Sequence, residues 1–161
     1  MRDAIDLLGD TLSPGNNLTI VGDDAAAPIV RADRTSLTQI LTNLLTNAAE
    51  ALPSGAQINV AVYTVSISHS MAKSLSLSVG LYCRLTVEDN GTGIPAAEIS
   101  KIFDPFFTTK PQGKGTGLGL SVVAGLAQSW GGTATVDSTE GMGTCFTIYL
   151  PVAEKHLQAA Q

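Results

Sequence analysis

Between Ser36 and Leu52 the chain reads SLTQILTNLLTNAAEAL, and this segment constrains the fold more than any other. Leu37, Ile40, Leu41, Leu44, Ala48 and Leu52 recur at spacings of three and four, which puts them on one face of an α-helix. Asp33 or Thr35 is placed to cap its start, and PSG stops it. A helix with such a stripe must bury it against a second layer. The sequence that follows supplies that layer. QINVAVYTVSI (57–67) and LYCRLTVED (81–89) alternate and are rich in β-branched residues, so they read as two long antiparallel strands. The serine-rich segment between them reads as a long, mobile hairpin connection.

The flanking segments extend the pattern. DAIDLLGDTL (3–12) is a short amphipathic helix candidate ended by SPGNN, while LTIV (18–21) and PIVR (28–31) read as short strands. AAEISKIF (96–103) reads as a short helix. Leu118, Val122, Val123, Leu126 and Trp130 mark a second long helix, closed by Gly131 and Gly132. TATVDS and GTCFTIYLP finish as strands joined through TEGMG. The expected architecture is an α+β two-layer sandwich, a mixed sheet backed by helices on one face. Residues 16–153 would form one domain, preceded by the end of a linker with its helix (1–15) and followed by a tail (154–161). Hydrophobic residues make up 44% and charged residues 14%, which suits a packed core. A net charge of -5 argues against a broad nucleic-acid surface. No stretch is apolar enough to span a bilayer or resembles a signal peptide, so membrane contact is not expected and the domain reads as soluble. Cys83 and Cys145, in strand-like runs, are expected as buried free thiols in a reducing cytoplasm.

Glycine alternates through GKGTGLGLS (113–121), just before the second long helix. The dinucleotide-binding fingerprint fails, because its sixth position falls on Leu118 or Leu120, and the P-loop fails because Gly115 follows Lys114. What survives is a helix start whose free N–H groups favour an anion, or an ordinary flexible loop.

Three other segments carry chemistry. Asn43 and Asn47, four apart, share one helix face with Gln39 and Glu50; this is a solvated stripe or a set of oxygen ligands for a hard cation. VEDNGTGIP ends a strand in Asp89, followed by Gly91 and Gly93. It is an ordinary turn, or a carboxylate accepting from an exocyclic amine beside glycines that admit a flat base. In IFDPFFTTK, Phe103, Phe106 and Phe107 can plug a loop. That connection, from Ile94 to Lys114, also carries Lys101, Lys110 and Lys114, and about twenty residues with so little regular structure suit a lid or a disordered loop.

The ordered boxes NLLTNAAEAL, DNGTGIP, FDPFFTTK, GKGTGLGLS and GMGT (141–144) closely resemble the ATP-binding catalytic domain of sensor histidine kinases. These share a superfamily with gyrase, Hsp90 and MutL, and the nitrogen-regulator and hybrid-kinase branch is the nearest in form. The resemblance spans about residues 18–151 and implies a Bergerat-type sandwich holding ATP and Mg²⁺ between helix and lid. It implies that Asn47 binds Mg²⁺, that Asn43 is the first asparagine of its box, and that Asp89 accepts from the adenine amino group. Ala51, Gly91, Gly93, Ile94 and Phe103 would shape the base pocket, and Thr144 would sit by an adenine-bound water. Lys110 and Lys114 would lie near the phosphates, with Gly115, Thr116, Gly117, Leu118 and Gly119 offering N–H groups. Asn43, Asn47 and Lys110 would serve catalysis.

Two departures bear on charge. Other branches carry a basic residue shortly after the second asparagine and an arginine in the lid; here Ala49 and Glu50 stand in the first place and the lid has no arginine. Hydrolytic relatives carry glutamate where Asn43 stands, and an amide cannot take a proton from water. The resemblance therefore implies phosphoryl transfer to a histidine on a separate dimerisation domain, and then to a response regulator. A nucleotide sensor without turnover and a hydrolase are the alternatives. His69 and His156 lack the surroundings of an acceptor, so the chain alone is not expected to phosphorylate itself. The parent protein, cytoplasmic here, could still be membrane-anchored.

Overall fold

The computed structural model describes residues 17–22, 28–51, 57–110 and 115–153. The helix at 3–12, the PSG stop, Lys114, His156 and the tail at 154–161 lie outside them. Among the described residues, β1 (Asn17–Gly22), β2 (Gln57–Ile67), β3 (Gly80–Asp89), β4 (Thr133–Thr139) and β5 (Gly143–Pro151) form one mixed sheet. The strand order is β1-β2-β3-β5-β4, with β1 parallel to β2 and every other pair antiparallel. The helices are α1 (Arg34–Ala51), α2 (His69–Leu75), α3 (Ala96–Ile99) and α4 (Gly119–Ser129).

Strand periodicity sets the core. Val60, Val87, Phe146 and Val136 stand in register across four strands, so their side chains share a face. Ile40, Leu41, Leu44 and Leu45 from α1, with Val123 and Ala127 from α4, are fully buried or nearly so against it. Asp33 settles the cap of α1, its Oδ1 accepting from Ser36 N at 2.8 Å. The cap bond holds the Asp33 carboxyl below the usual carboxylate range. Cys83 is buried and Cys145 half-buried, both as free thiols; burial pushes Cys83 up to about 11.

Three local expectations need correction. The serine-rich connection carries a helix, α2, rather than a mobile loop. Ser68 caps it, Ser76 closes it at φ 54°, and Ala72 packs with Ile67 and Tyr82 on the sheet face opposite the main core. PIVR is no strand: only Val30 bridges, to Val152. The helix expected over 96–103 stops at Ile99. Beyond it the chain bonds three residues back rather than four, in tight turns, with Lys101 N on Glu98 O and Asp104 N on Lys101 O, and Pro105 keeps Asp104 from resuming the helix.

Candidate functional site

The C-terminal ends of β3 and α1 and the start of α4 converge on a cavity of about 700 Å³, the size of a small-molecule site. At one end stands Asp89, the last residue of β3 and only 5% exposed. Its Oδ1 accepts from Gly91 N at 2.9 Å, and Thr144 faces it in register on β5. Burial pushes the Asp89 carboxyl above the usual range, while the Gly91 and Thr144 amides oppose the rise. The turn beyond is locked. Thr92 N reaches Ala51 O at 3.2 Å and Gly141 N reaches Thr92 O at 2.7 Å. Gly93 has φ 68°, and a Cβ there would stand 2.1 Å from Thr139 O, so no other residue fits.

Asn47, Glu50 and Ala51 form the α1 wall. Phe107, Thr108, Thr109 and Lys110 cover the cavity from the connection after α3, and Gly115, Thr116 and Gly117 lead into α4. The first N–H groups of any helix lack intrahelical partners, and Leu118 offers those of α4 no side-chain cap. Gly119 and Leu120 line the cavity at that point. This is the end of a helix that favours negative charge.

Most of the residues singled out from the sequence meet here. Asn47, Ala51, Asp89, Gly93, Ile94, Lys110, Gly115, Thr116, Gly117, Gly119 and Thr144 all line the cavity. Asn43, Gly91, Phe103 and Leu118 are not among its lining residues. Asn43 acts from behind: its Nδ2 donates to Gly119 O at 3.1 Å, tying α1 to the first residue of α4. The three phenylalanines separate. Phe103 meets Phe146 edge-on at 6.3 Å, Phe107 lines the cavity, and Phe106 is 74% exposed at φ 68°. Sequence reasoning passed over Ser138, whose hydroxyl accepts from Ile94 N at 2.8 Å. Its only sequence signal is a serine near the end of a strand, which is common.

With this geometry, comparison with known proteins is direct. Residues 32–154 match the model of the histidine kinase-, DNA gyrase B- and HSP90-like ATPases. The chain belongs to that family. The sensor kinase CckA of Brucella abortus is 45% identical over 123 residues, which are 76% of this chain and 13% of that protein, so the chain spans a small part of that relative. The catalytic domain of the histidine kinase ThkA is 29% identical and superposes with a TM-score of 0.74, covering 94% of this chain and 89% of that one. Full-length ShkA in complex with AMPPNP is 25% identical with a TM-score of 0.74, covering 99% of this chain and 31% of ShkA. The five-stranded sheet with its helices is thus that of a sensor histidine kinase catalytic domain. No helix among the described residues is long and apolar enough to cross a membrane.

Proposed function

We propose that the cavity binds Mg·ATP and that the parent protein transfers the γ-phosphoryl group to a histidine on a separate acceptor domain, and onward to a response regulator, in the cytoplasm. One observation carries this reading. The cavity has a buried carboxylate with locked glycines at one end and an uncapped helix N-terminus at the other, the two chemistries that a base and a phosphate chain require. The complex of ShkA with AMPPNP supports a nucleotide in a domain of this fold.

The donor set suits magnesium. Among the described residues no cluster of three or more His, Cys, Asp or Glu could hold a metal. Asn47 offers one amide oxygen, which fits a cation that keeps several waters and shares its remaining ligands with phosphate. Bound there, it would neutralise phosphate charge. The chain's own residues do the rest. Asp89 takes a proton donor of the base, α4 presents backbone N–H groups, and Asn43 holds Gly119 where those groups begin. Asn43 is an amide and cannot act as a base toward water, which favours a histidine, already a nucleophile, as acceptor. His69 opens α2, at the end of the sheet where β3 begins, whereas Asp89 stands where β3 ends. His69 is therefore no acceptor for its own site.

Calorimetric titration of this chain with Mg·ATP tests the binding step. Transfer of labelled phosphate within the full-length parent, but not onto this chain alone, tests the kinase step. Absence of ATP binding would sink the proposal. Binding with steady phosphate release and no labelled histidine in the parent would turn it into a hydrolase.

A further inference from the structure

Ser138, near the end of β4, does not line the cavity, yet its hydroxyl makes three contacts behind the base end. It accepts from Ile94 N at 2.8 Å, reaches Gly143 O at 2.8 Å and lies 2.9 Å from Thr144 Oγ1. A serine hydroxyl has one proton and two lone pairs. Ile94 N–H can only donate, so it takes one lone pair. Gly143 C=O can only accept, so it takes the proton. One lone pair remains, and Thr144 must donate into it. Because the Thr144 proton is committed backwards, its hydroxyl faces the cavity with lone pairs only. Thr144 is 5% exposed and stands opposite Asp89, which is also an acceptor.

We propose that Ser138 is a positioning residue that sets base selectivity, by holding Thr144 as an acceptor beside Asp89 so that this wall admits a 6-amino purine and rejects a 6-oxo purine. The proposal rests on the nucleotide reading above and adds the direction of recognition. A 6-amino group donates to such a wall, directly or through a water whose two protons are committed to Asp89 and Thr144. A 6-oxo group presents lone pairs to lone pairs. The same serine fixes Ile94, the residue after Gly93, so the turn and the recognising hydroxyl are held by one atom.

The test titrates the chain with the magnesium salts of ATP and inosine triphosphate. The wild type is expected to favour ATP at least tenfold. In Ser138→Ala the Thr144 hydroxyl is free to turn and donate, and the ATP-to-inosine preference is expected to fall about fivefold, the scale of one hydrogen bond. Ser138→Thr, which keeps the oxygen, is expected to restore it. A purely structural serine would weaken both nucleotides by the same factor, and that result, or an unchanged ratio, overturns the proposal. Should Ser138→Ala not fold, Thr144→Val removes the acceptor without changing shape. Asp89 still favours the amino group in that variant, so the preference is expected to fall there too, and an undiminished ratio is equally decisive against the proposal. A wild type that binds neither nucleotide defeats the nucleotide reading itself, whereas ATP binding with an unaltered ratio in the variants defeats only the role of Ser138.

Discussion

Lys110, the only basic residue among the described residues lining the cavity, donates from Nζ to Glu50 Oε2, sixty residues earlier on α1. The covering segment is thereby tied across the mouth to the opposite wall, and its one cation there is already paired. The two side chains are 35% and 45% exposed, so the pair contributes about 0–1 kcal/mol to folding. Its consequence is for ligand binding. A triphosphate must compete with Glu50 for Lys110, and the Glu50 carboxylate repels it meanwhile.

Glu50→Gln is therefore expected to tighten ATP by about two- to fivefold with almost no change in thermal midpoint. Lys110→Ala is expected to weaken ATP more than adenosine. Titration of both variants with both ligands checks this. Equal losses for the two ligands in Lys110→Ala would remove the lysine from the phosphate site.

Asp89 gives a prediction in pH. Burial raises its carboxyl above the ordinary 3.8, so the folded chain holds this proton more tightly than the unfolded chain. Stability then falls as pH rises from 3.8 through the raised value, and the ionised group is a cost to the empty fold at neutral pH. Asp89→Asn is expected to match or exceed the wild-type unfolding midpoint at pH 7 while losing adenosine binding. In the wild type, adenosine, which has no phosphate to titrate, should begin to weaken on acidification above the ordinary carboxylate range. Retained binding in Asp89→Asn would count against the base assignment.

Asn43 is expected to act through Gly119. Asn43→Ala removes one part-buried hydrogen bond between α1 and α4, about 1 kcal/mol of stability. Because that bond holds the start of α4, the variant should lose affinity for ATP by a larger factor than for adenosine. Urea unfolding and paired titrations separate the two effects. An undiminished ATP preference would leave Asn43 with a structural role alone.

How far these roles could be read beforehand depended on the range of the interaction. α1 was legible because six apolar residues repeat within its own length, and Asp89 because it closes a long alternating strand before glycines. α2 was not, since seven residues, HSMAKSL, are too few to show a period and its apolar partners lie on three strands. Glu50 pairs with a residue sixty positions away, and Ser138 with one forty-four positions away. Neither partner leaves a mark beside it in the sequence. Only assembly of the sheet brings them together.

Gly117 offers the sharpest test of how the cover is joined to α4. It has φ 65°, and a Cβ would lie 2.4 Å from the carbonyl carbon of Phe106, whose own N–H donates to Gly117 O at 2.9 Å. Phe106 also has positive φ, at 68°, so two adjacent backbones hold each other in conformations that side chains disfavour. The contact is backbone against backbone, and no rotamer change relieves it. Gly117→Ala is thus expected to force Phe106 away from α4 and to weaken ATP at least tenfold. Global stability should fall by about 1–3 kcal/mol, the range of such local strain, since the core beneath is untouched. Gly125→Ala is the control: it lies within α4, with nothing within 4 Å of its Cβ position. There the change should raise stability by up to about 1 kcal/mol and leave ATP affinity alone. If Gly117→Ala bound ATP as the control does, the Phe106–Gly117 junction would have no part in the site.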